Sequence, residues 1–136
     1  MNITLIYFDF PFWRAEVSRI ALFIGGVDFN DRRIGSEEFQ RVKANGCLDD
    51  GTIIPFRQLP VLVVDGFSVA QTGAIARFCG KLADLYPKDD SLLAARIDQF
   101  IDFLTDLNSL ISFSGKEPLN QGLYSATSTT LMLPTG

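Results

Sequence analysis

The residue types that this chain of 136 residues lacks or uses sparingly limit the chemistry that it can perform. There is no histidine, the commonest general base and metal ligand in proteins, so serine, cysteine and zinc hydrolase mechanisms lose their usual partner. The two cysteines, Cys47 and Cys79, form neither a CxxC redox pair nor a zinc-ligand cluster, which argues against disulfide exchange. Hydroxyl-bearing rings are scarce, with three tyrosines against twelve phenylalanines. Each tyrosine is therefore a candidate for a chemical role.

The composition is that of an ordinary globular protein, with 47% hydrophobic and 21% charged residues. The net charge of −4 gives no electrostatic reason to bind nucleic acid or anionic lipid. No apolar run approaches the roughly 18–20 residues that span a bilayer, and the N-terminus lacks a basic segment followed by an apolar one. We therefore expect a cytoplasmic protein with neither nucleic acid nor membrane as a partner.

The N-terminal half alternates strand and helix patterns. An apolar run predicts a strand over residues 3–8, and helical spacing then predicts a helix over 13–24 that ends at Gly25-Gly26. A second strand fits 27–34, and a short helix over 36–44 is opened by Ser36. The apolar residues that predict the first helix are Val17, Ile20, Ala21 and Ile24.

A second block begins after a long segment, 45–57, that carries loop chemistry and is expected to be an exposed insertion. Residues 59–64 form an apolar run typical of a strand buried on both faces, and Asp65-Gly66 turns it into a short partner strand, 67–70. A third helix follows and closes near Tyr86-Pro87. The predicted order is β-α-β-α-β-β-α.

Residues 91–113 carry the most regular periodicity of the chain and predict an amphipathic helix. From Ser114 onward no period survives, so 114–136 is expected to be a disordered tail. Standing without a bundle around it, the helix would leave Phe103 and Leu110 uncovered, which favours association.

Two segments carry a resemblance to a known family. Residues 58–62 (QLPVL), followed by Asp65-Gly66, and residues 71–78 (QTGAIARF) stand at the spacing found in cytosolic glutathione transferases. Residues 7–8 (YF), 14–16 (RAE) and 39–43 (FQRVK) resemble the sigma class, which includes haematopoietic prostaglandin D synthase. The resemblance covers residues 1 to about 113. It implies a thioredoxin-like domain over 1–86 and, over 91–113, the start of a truncated all-helical C-terminal domain.

In that family, the tyrosine matching Tyr7 donates a hydrogen bond to the glutathione sulfur and stabilises the thiolate, which is the nucleophile. The arginine matching Arg14 reinforces this role. The alternative for Tyr7 is a buried tyrosine with a satisfied hydroxyl, and Arg14 is equally well explained as a surface ion-pair residue. The resemblance makes these two residues the catalytic candidates.

The resemblance also implies a set of glutathione-binding residues. Gln71 and Thr72 would hold the γ-glutamyl carboxylate at a helix N-terminus, where a helix cap is the alternative. The cysteinyl part would pair with the backbone of Leu59, exposed by a cis peptide bond to Pro60. The remaining members are Phe39 as a wall, Lys43 for the glycyl carboxylate, Gln58 for the cysteinyl-glycine portion, and Asp106 across a dimer interface.

Each of these residues also has a plainer interpretation. Phe39 would be ordinary core, Lys43 a solvated charge and Asp106 a solvated carboxylate on an amphipathic helix. The family's aromatic at the place of Phe39 is usually tryptophan, so an indole hydrogen bond is lost. Residues 8–13 (FDFPFW) are longer and more apolar than the family loop. They either line a pocket for a hydrophobic second substrate or pack under another domain.

These observations leave two hypotheses from different classes. The first is a glutathione transferase, with glutathione as co-substrate, no metal, a small hydrophobic electrophile as the second substrate, a homodimeric assembly and activity weakened by the truncation. The second is a non-catalytic glutathione-binding or dimerisation module. A thioredoxin-type reductase is disfavoured because no cysteine starts the first helix.

Overall fold

The computed structural model describes residues 1–11 and 13–114, with side chains described as far as residue 111. The expected tail, apart from Ser114, and Phe12 of the aromatic segment lie outside the described residues. The described chain divides into two units, one from Met1 to Ile97 and one that begins at Asp98. Its elements are β1 (Ile3–Phe8), α1 (Glu16–Ile24), β2 (Asn30–Ile34), α2 (Ser36–Asn45), a 3-10 turn (Pro55–Arg57), β3 (Val61–Val64), β4 (Phe67–Ala70), α3 (Thr72–Leu82) and α4 (Ser91–Ser114).

The first unit contains a four-stranded sheet in the order β2-β1-β3-β4. Strand β1 pairs parallel with β2 and antiparallel with β3, and β4 pairs antiparallel with β3. The parallel pair needs a crossover connection, which α1 supplies, whereas Asp65-Gly66 makes the tight turn between β3 and β4. The predicted β-α-β-α-β-β-α order of a thioredoxin-like domain, followed by a further helix, is confirmed.

The core lies between this sheet and the helices on its faces. Leu5 and Leu62, which are register partners on β1 and β3, are fully buried. Helices α1 and α3 pack against each other. Leu22 of α1 and Ile75 of α3 are likewise fully buried, so both helices contribute to the core. This core fixes where the ends of β1, β3 and β4 meet.

Helix α1 starts three residues later than predicted and buries another face. Trp13 has φ of 91°, a left-handed conformation that cannot belong to a right-handed helix. Three of the four apolar residues that predicted the helix are exposed: Val17, Ile20 and Ile24. The buried residues of α1 are Ser18, Arg19, Ala21 and Leu22.

The segment between α2 and β3 is not a fully exposed insertion. Leu48 and Ile54 are buried, and Cys47 and Ile53 form an isolated antiparallel bridge. The backbone N–H of Ile54 donates to the carbonyl of Gly46 at 2.9 Å. The segment therefore folds back on the end of α2 and is part of the core.

Helix α4 matches its predicted bounds within one residue at its C-terminal end. Phe103 and Leu110 are exposed on it, as expected for this helix without a bundle around it, and association through them stays a prediction. None of the helices in the described residues is long and apolar enough to span a membrane.

The two faces of α1 can be distinguished by matched truncations. Leu22→Ala should lower the free energy of unfolding by about 2–5 kcal/mol, because it opens a cavity in the core. Ile20→Ala, on the same helix with the same new residue, should cost less than about 1 kcal/mol because its side chain is half exposed. Urea unfolding would measure both variants, and equal losses would contradict this assignment of the buried face.

Candidate functional site

The sheet register brings three of the candidate residues to the same end of neighbouring strands. Ile6 lies opposite Val61, and Val61 lies opposite Ala70. The residues that follow Ile6 and Ala70, and the one that precedes Val61, are therefore neighbours at the same end of the sheet. They are Tyr7, Gln71 and Pro60.

Tyr7 is almost completely buried at this end of the sheet, with 3% of its surface exposed. Its hydroxyl oxygen accepts a hydrogen bond from the backbone N–H of Arg14 at 3.4 Å. A phenol hydroxyl can accept as well as donate, so accepting from Arg14 does not use its single hydrogen. The structure thus joins the two catalytic candidates, and it does so through the backbone of Arg14.

The peptide bond between Leu59 and Pro60 is cis, as the resemblance implied. Both residues are buried. Gln58, just before them, is half-buried, and its N–H donates to the carbonyl of Pro55 at 3.4 Å. These residues form the turn that enters β3.

Gln71 immediately precedes α3 and has φ of 77°, a left-handed conformation that is rare for a side chain other than glycine or asparagine. Its side chain is exposed, and within the described part of the chain it makes no capping hydrogen bond to α3. Gln71 is thus the N-cap residue of α3 through its backbone, whose carbonyl accepts from the N–H of Ile75 at 3.0 Å, and not through its side chain. Thr72, the first residue of the helix, is half-buried beside it.

Lys43 and Phe39 lie one turn apart on α2 and contact each other. The Lys43 Nζ atom is 5.7 Å from the centroid of the Phe39 ring, within the range of a cation–π interaction. Phe39 has no exposed surface, so its side chain supports Lys43 from below and is not the exposed wall that we expected.

A row of aromatic rings connects the two ends of the candidate site. The Tyr7 and Phe8 rings have centroids 5.3 Å apart, and Phe8 meets Phe39 edge-on at 4.9 Å. Aromatic pairs at these separations are attractive beyond their buried area. Tyr7 and Lys43 are therefore held in place by one continuous packed unit.

Asp106 lies on α4 in the second unit, where its side chain is exposed. Its role at a dimer interface stays a prediction. Among the described residues, no cluster of three or more acidic, cysteine or histidine side chains could hold a metal ion. Cys79 is fully buried, and burial raises the pKa of its thiol to about 11, so it is a poor nucleophile at neutral pH.

Sequence reasoning missed Arg57, which anchors the end of α2. Its Nη1 atom donates to the carbonyl oxygens of Lys43 at 2.8 Å and of Ala44 at 3.1 Å. The last carbonyls of a helix lack partners within the helix and carry partial negative charge, so a guanidinium there stabilises the terminus. The sequence gives no local signal for this contact because Arg57 is fourteen positions from Lys43.

Acidic residues of the same segment are tied to α2 and β2. Asp49 pairs with Arg41 at 2.8 Å, and Asp50 pairs with Arg32 at 2.7 Å. Hydrogen bonds from Thr52, which have the larger effect, and from Arg32 hold the pKa of the Asp50 carboxyl well below its usual range. The segment beside Lys43 is thus fastened by charge as well as by its buried apolar residues.

Comparisons with known proteins agree on the family. The profile of the glutathione S-transferase N-terminal domain matches residues 3–80. Glutathione S-transferase 1 of Ascaris suum is 35% identical over 106 residues, which cover 76% of this chain and 47% of that protein. Hematopoietic prostaglandin D synthase of Rattus norvegicus is 30% identical over 131 residues, or 96% of this chain and 59% of that protein.

Solved structures agree with the fold. The prostaglandin synthase D of Nilaparvata lugens superposes with a TM-score of 0.71 at 32% identity, over 95% of this chain and 60% of that one. The glutathione S-transferase of Ascaris lumbricoides gives a TM-score of 0.66 at 32% identity, over 86% and 55% of the two chains. The chain spans about half the length of the curated relatives it matches.

The contact between Arg57 and the end of α2 predicts a measurable loss of stability. Arg57→Met should lower the free energy of unfolding by about 0.5–1.5 kcal/mol, because two helix-terminal carbonyls lose a charged donor. Arg96→Met, which removes the same charge from an exposed position on α4, should change it by less than about 0.5 kcal/mol. Urea midpoints would compare the two, and losses of equal size would mean that the anchoring contact contributes nothing in solution.

Proposed function

The chain belongs to the glutathione S-transferase family through its N-terminal domain, and we propose that it binds glutathione and activates the thiol for conjugation or isomerisation. The observation that carries this proposal is the position of the buried Tyr7 beside the cis Leu59-Pro60 bond and Gln71, with its hydroxyl oxygen accepting from the Arg14 backbone N–H. A hydrogen bond to an anionic sulfur favours the thiolate over the thiol.

The proposed mechanism follows from the order of the candidate residues along this end of the sheet. Glutathione would lie across it with the thiol at Tyr7, its cysteinyl backbone paired with that of Leu59, and its γ-glutamyl end at Gln71 and Thr72. The exposed Gln71 side chain and the N-terminal N–H groups of α3 suit a carboxylate, because helix N-termini attract anions. At the other end Lys43 would bind the glycyl carboxylate, with Gln58 between them.

A two-unit fall in the thiol pKa from about 8.5 corresponds to about 2.7 kcal/mol in favour of the anion. The Tyr7 hydroxyl donates to the sulfur, and the positive end of a helix dipole adds to the field around it. The thiol proton is released to solvent, and the thiolate then attacks the electrophilic carbon of the second substrate. The electron pair of the bond that breaks at that carbon departs with the leaving group or, at an activated double bond, moves to the adjacent atom and is protonated by water. Tyr7 does not transfer a proton in this step, because its role is to lower the energy of the anion.

We further propose the sigma class, which the prostaglandin D synthases among the relatives support. On this basis residues 1–86 form the glutathione-binding domain and 91–113 the start of a helical domain. A small hydrophobic electrophile is the second substrate, and the protein is a cytoplasmic homodimer in which Asp106 reaches glutathione of the other subunit.

The direct test is whether glutathione stabilises the chain. At one hundred times its dissociation constant, the ligand should raise the free energy of unfolding by roughly 2.7 kcal/mol, seen as a higher melting temperature. The matched control is the tripeptide with an ordinary α-linked glutamate, which has the same atoms and a displaced carboxylate. An identical response to both peptides, or none to either, would refute a glutathione site.

Tyr7→Phe separates binding from activation, because it removes only the hydroxyl. We expect nearly unchanged glutathione affinity by titration calorimetry, together with a higher thiol pKa and slower conjugation at neutral pH. The thiolate's ultraviolet absorbance across pH would give the pKa of the bound ligand. If the variant titrates like the unmutated chain, Tyr7 has no part in activation, and the non-catalytic binding module becomes the better hypothesis.

A further inference from the structure

Arg19 is an arginine that the proposed mechanism does not use, although it lies beside the tyrosine on which that mechanism depends. It sits on the buried face of α1, and only 7% of its surface is exposed. Its Cζ atom is 5.9 Å from the centroid of the Tyr7 ring. This is within the distance at which a cation is attracted to the face of an aromatic ring.

Two carboxylates hold the guanidinium in this place. Arg19 Nε donates to Asp31 Oδ1 at 3.0 Å, and Nη1 donates to Glu16 Oε2 at 3.2 Å. A buried charge is costly unless it is paired, so these contacts explain how the cation is tolerated. They also fix its direction, because one partner is on the same helix and the other is on β2.

The pairing leaves one edge of the guanidinium unused. The Nη2 atom of Arg19 is buried and has no hydrogen-bond partner among the described residues. An arginine that served only to join α1 to β2 would be expected to satisfy its remaining donors with water at the surface. Here the charge is instead kept under the protein surface against the ring of Tyr7.

Building on the proposed glutathione site, we propose that Arg19 is a positioning residue that acts through Tyr7 and strengthens its hydroxyl as a hydrogen-bond donor to the thiolate. A cation over the ring stabilises electron density that moves from the oxygen into the π system. The N–H of Arg14 draws on the same oxygen directly. The two contacts act in one direction, since both make the hydroxyl hydrogen more positive.

Arg33 provides a matched control for this role. It donates to the same carboxylate, Asp31, at 2.9 and 3.0 Å, but from the exposed side. Arg33→Met and Arg19→Met each remove one positive charge and two hydrogen bonds to carboxylates. Both bonds of Arg33 go to Asp31, whereas those of Arg19 go to Asp31 and Glu16. Only Arg19→Met removes the cation beside the Tyr7 ring.

The experiment measures the pKa of the bound glutathione thiol by thiolate absorbance, together with the dissociation constant by calorimetry. Arg19→Met should raise the thiol pKa by about half a unit to one unit with little change in affinity, which corresponds to the strength of a buried cation–π contact. Arg33→Met should leave the pKa nearly unchanged, and Arg19→Lys should restore part of the shift. Equal shifts in the two methionine variants would overturn the proposal.

The Tyr7→Phe background tests whether the effect passes through the hydroxyl. There Arg19→Met should add no further shift, whereas a full additional shift would show that Arg19 acts on the sulfur directly and would overturn the proposal. If Arg19→Met does not fold by circular dichroism, Asp31→Asn keeps the cation and loses one anchor. The thiol pKa should then stay or fall, and a rise would overturn the proposal.

Failure of the underlying function gives a different result. In that case glutathione bound to the unmutated chain would titrate like free glutathione, or would not bind at all. That outcome removes thiol activation and the role of Arg19 together. A lowered thiol pKa in the unmutated chain that Arg19→Met does not change removes only the role of Arg19.

Discussion

The register between β1, β3 and β4 is the constraint on which the candidate site depends. Because Ile6, Val61 and Ala70 lie side by side, the residues just beyond them meet at one end of the strands. A slip of one residue in β3 would turn its buried side chains to the opposite face and would separate Pro60 from Tyr7. The long-range pairing of buried strands, rather than any local motif, therefore brings the ends of the site together.

Strand β2 contributes in another way, because it is an edge strand with charged side chains on both faces. Successive residues of a strand point to opposite sides. Asp31 accordingly meets Arg19 of α1, while Arg32 meets Glu38 of α2 and Asp50 of the following segment. The same charges that discourage pairing with another sheet edge thus fasten both neighbouring helices, and with them the surroundings of Tyr7.

The sequence predicted the elements with strong local signals. The apolar run of β1 and the Asp65-Gly66 turn before β4 gave bounds that the structure repeats, and the periodicity of α4 did the same to within one residue. It could not predict the start of α1, because the left-handed conformation of Trp13 has no composition signal. The family resemblance, not local patterning, indicated the cis bond before Pro60.

The site was predicted less completely, because its supporting contacts join residues far apart in the chain. Arginine is rarely buried. The helical periodicity of the apolar residues predicted that a different face of α1 is buried, so nothing in the pattern indicated that Arg19 lies in the core. Spacing likewise gave no reason to join Arg57 to the end of α2. The candidate ligand residues came from the motifs, whereas the groups that hold them in place became visible only with the fold.

The row of rings from Tyr7 through Phe8 to Phe39 gives the two ends of the site a common support. Ordering the Lys43 side chain costs rotamer entropy, and its contact with the Phe39 ring already restricts that side chain. In the proposed site, a carboxylate bound to Lys43 would therefore have less of this entropy to overcome. The absence of exposed surface on Phe39 makes it part of the core, so its packing and the position of Lys43 are linked. The stability of this core and the ordering of the site residues therefore depend on the same contacts.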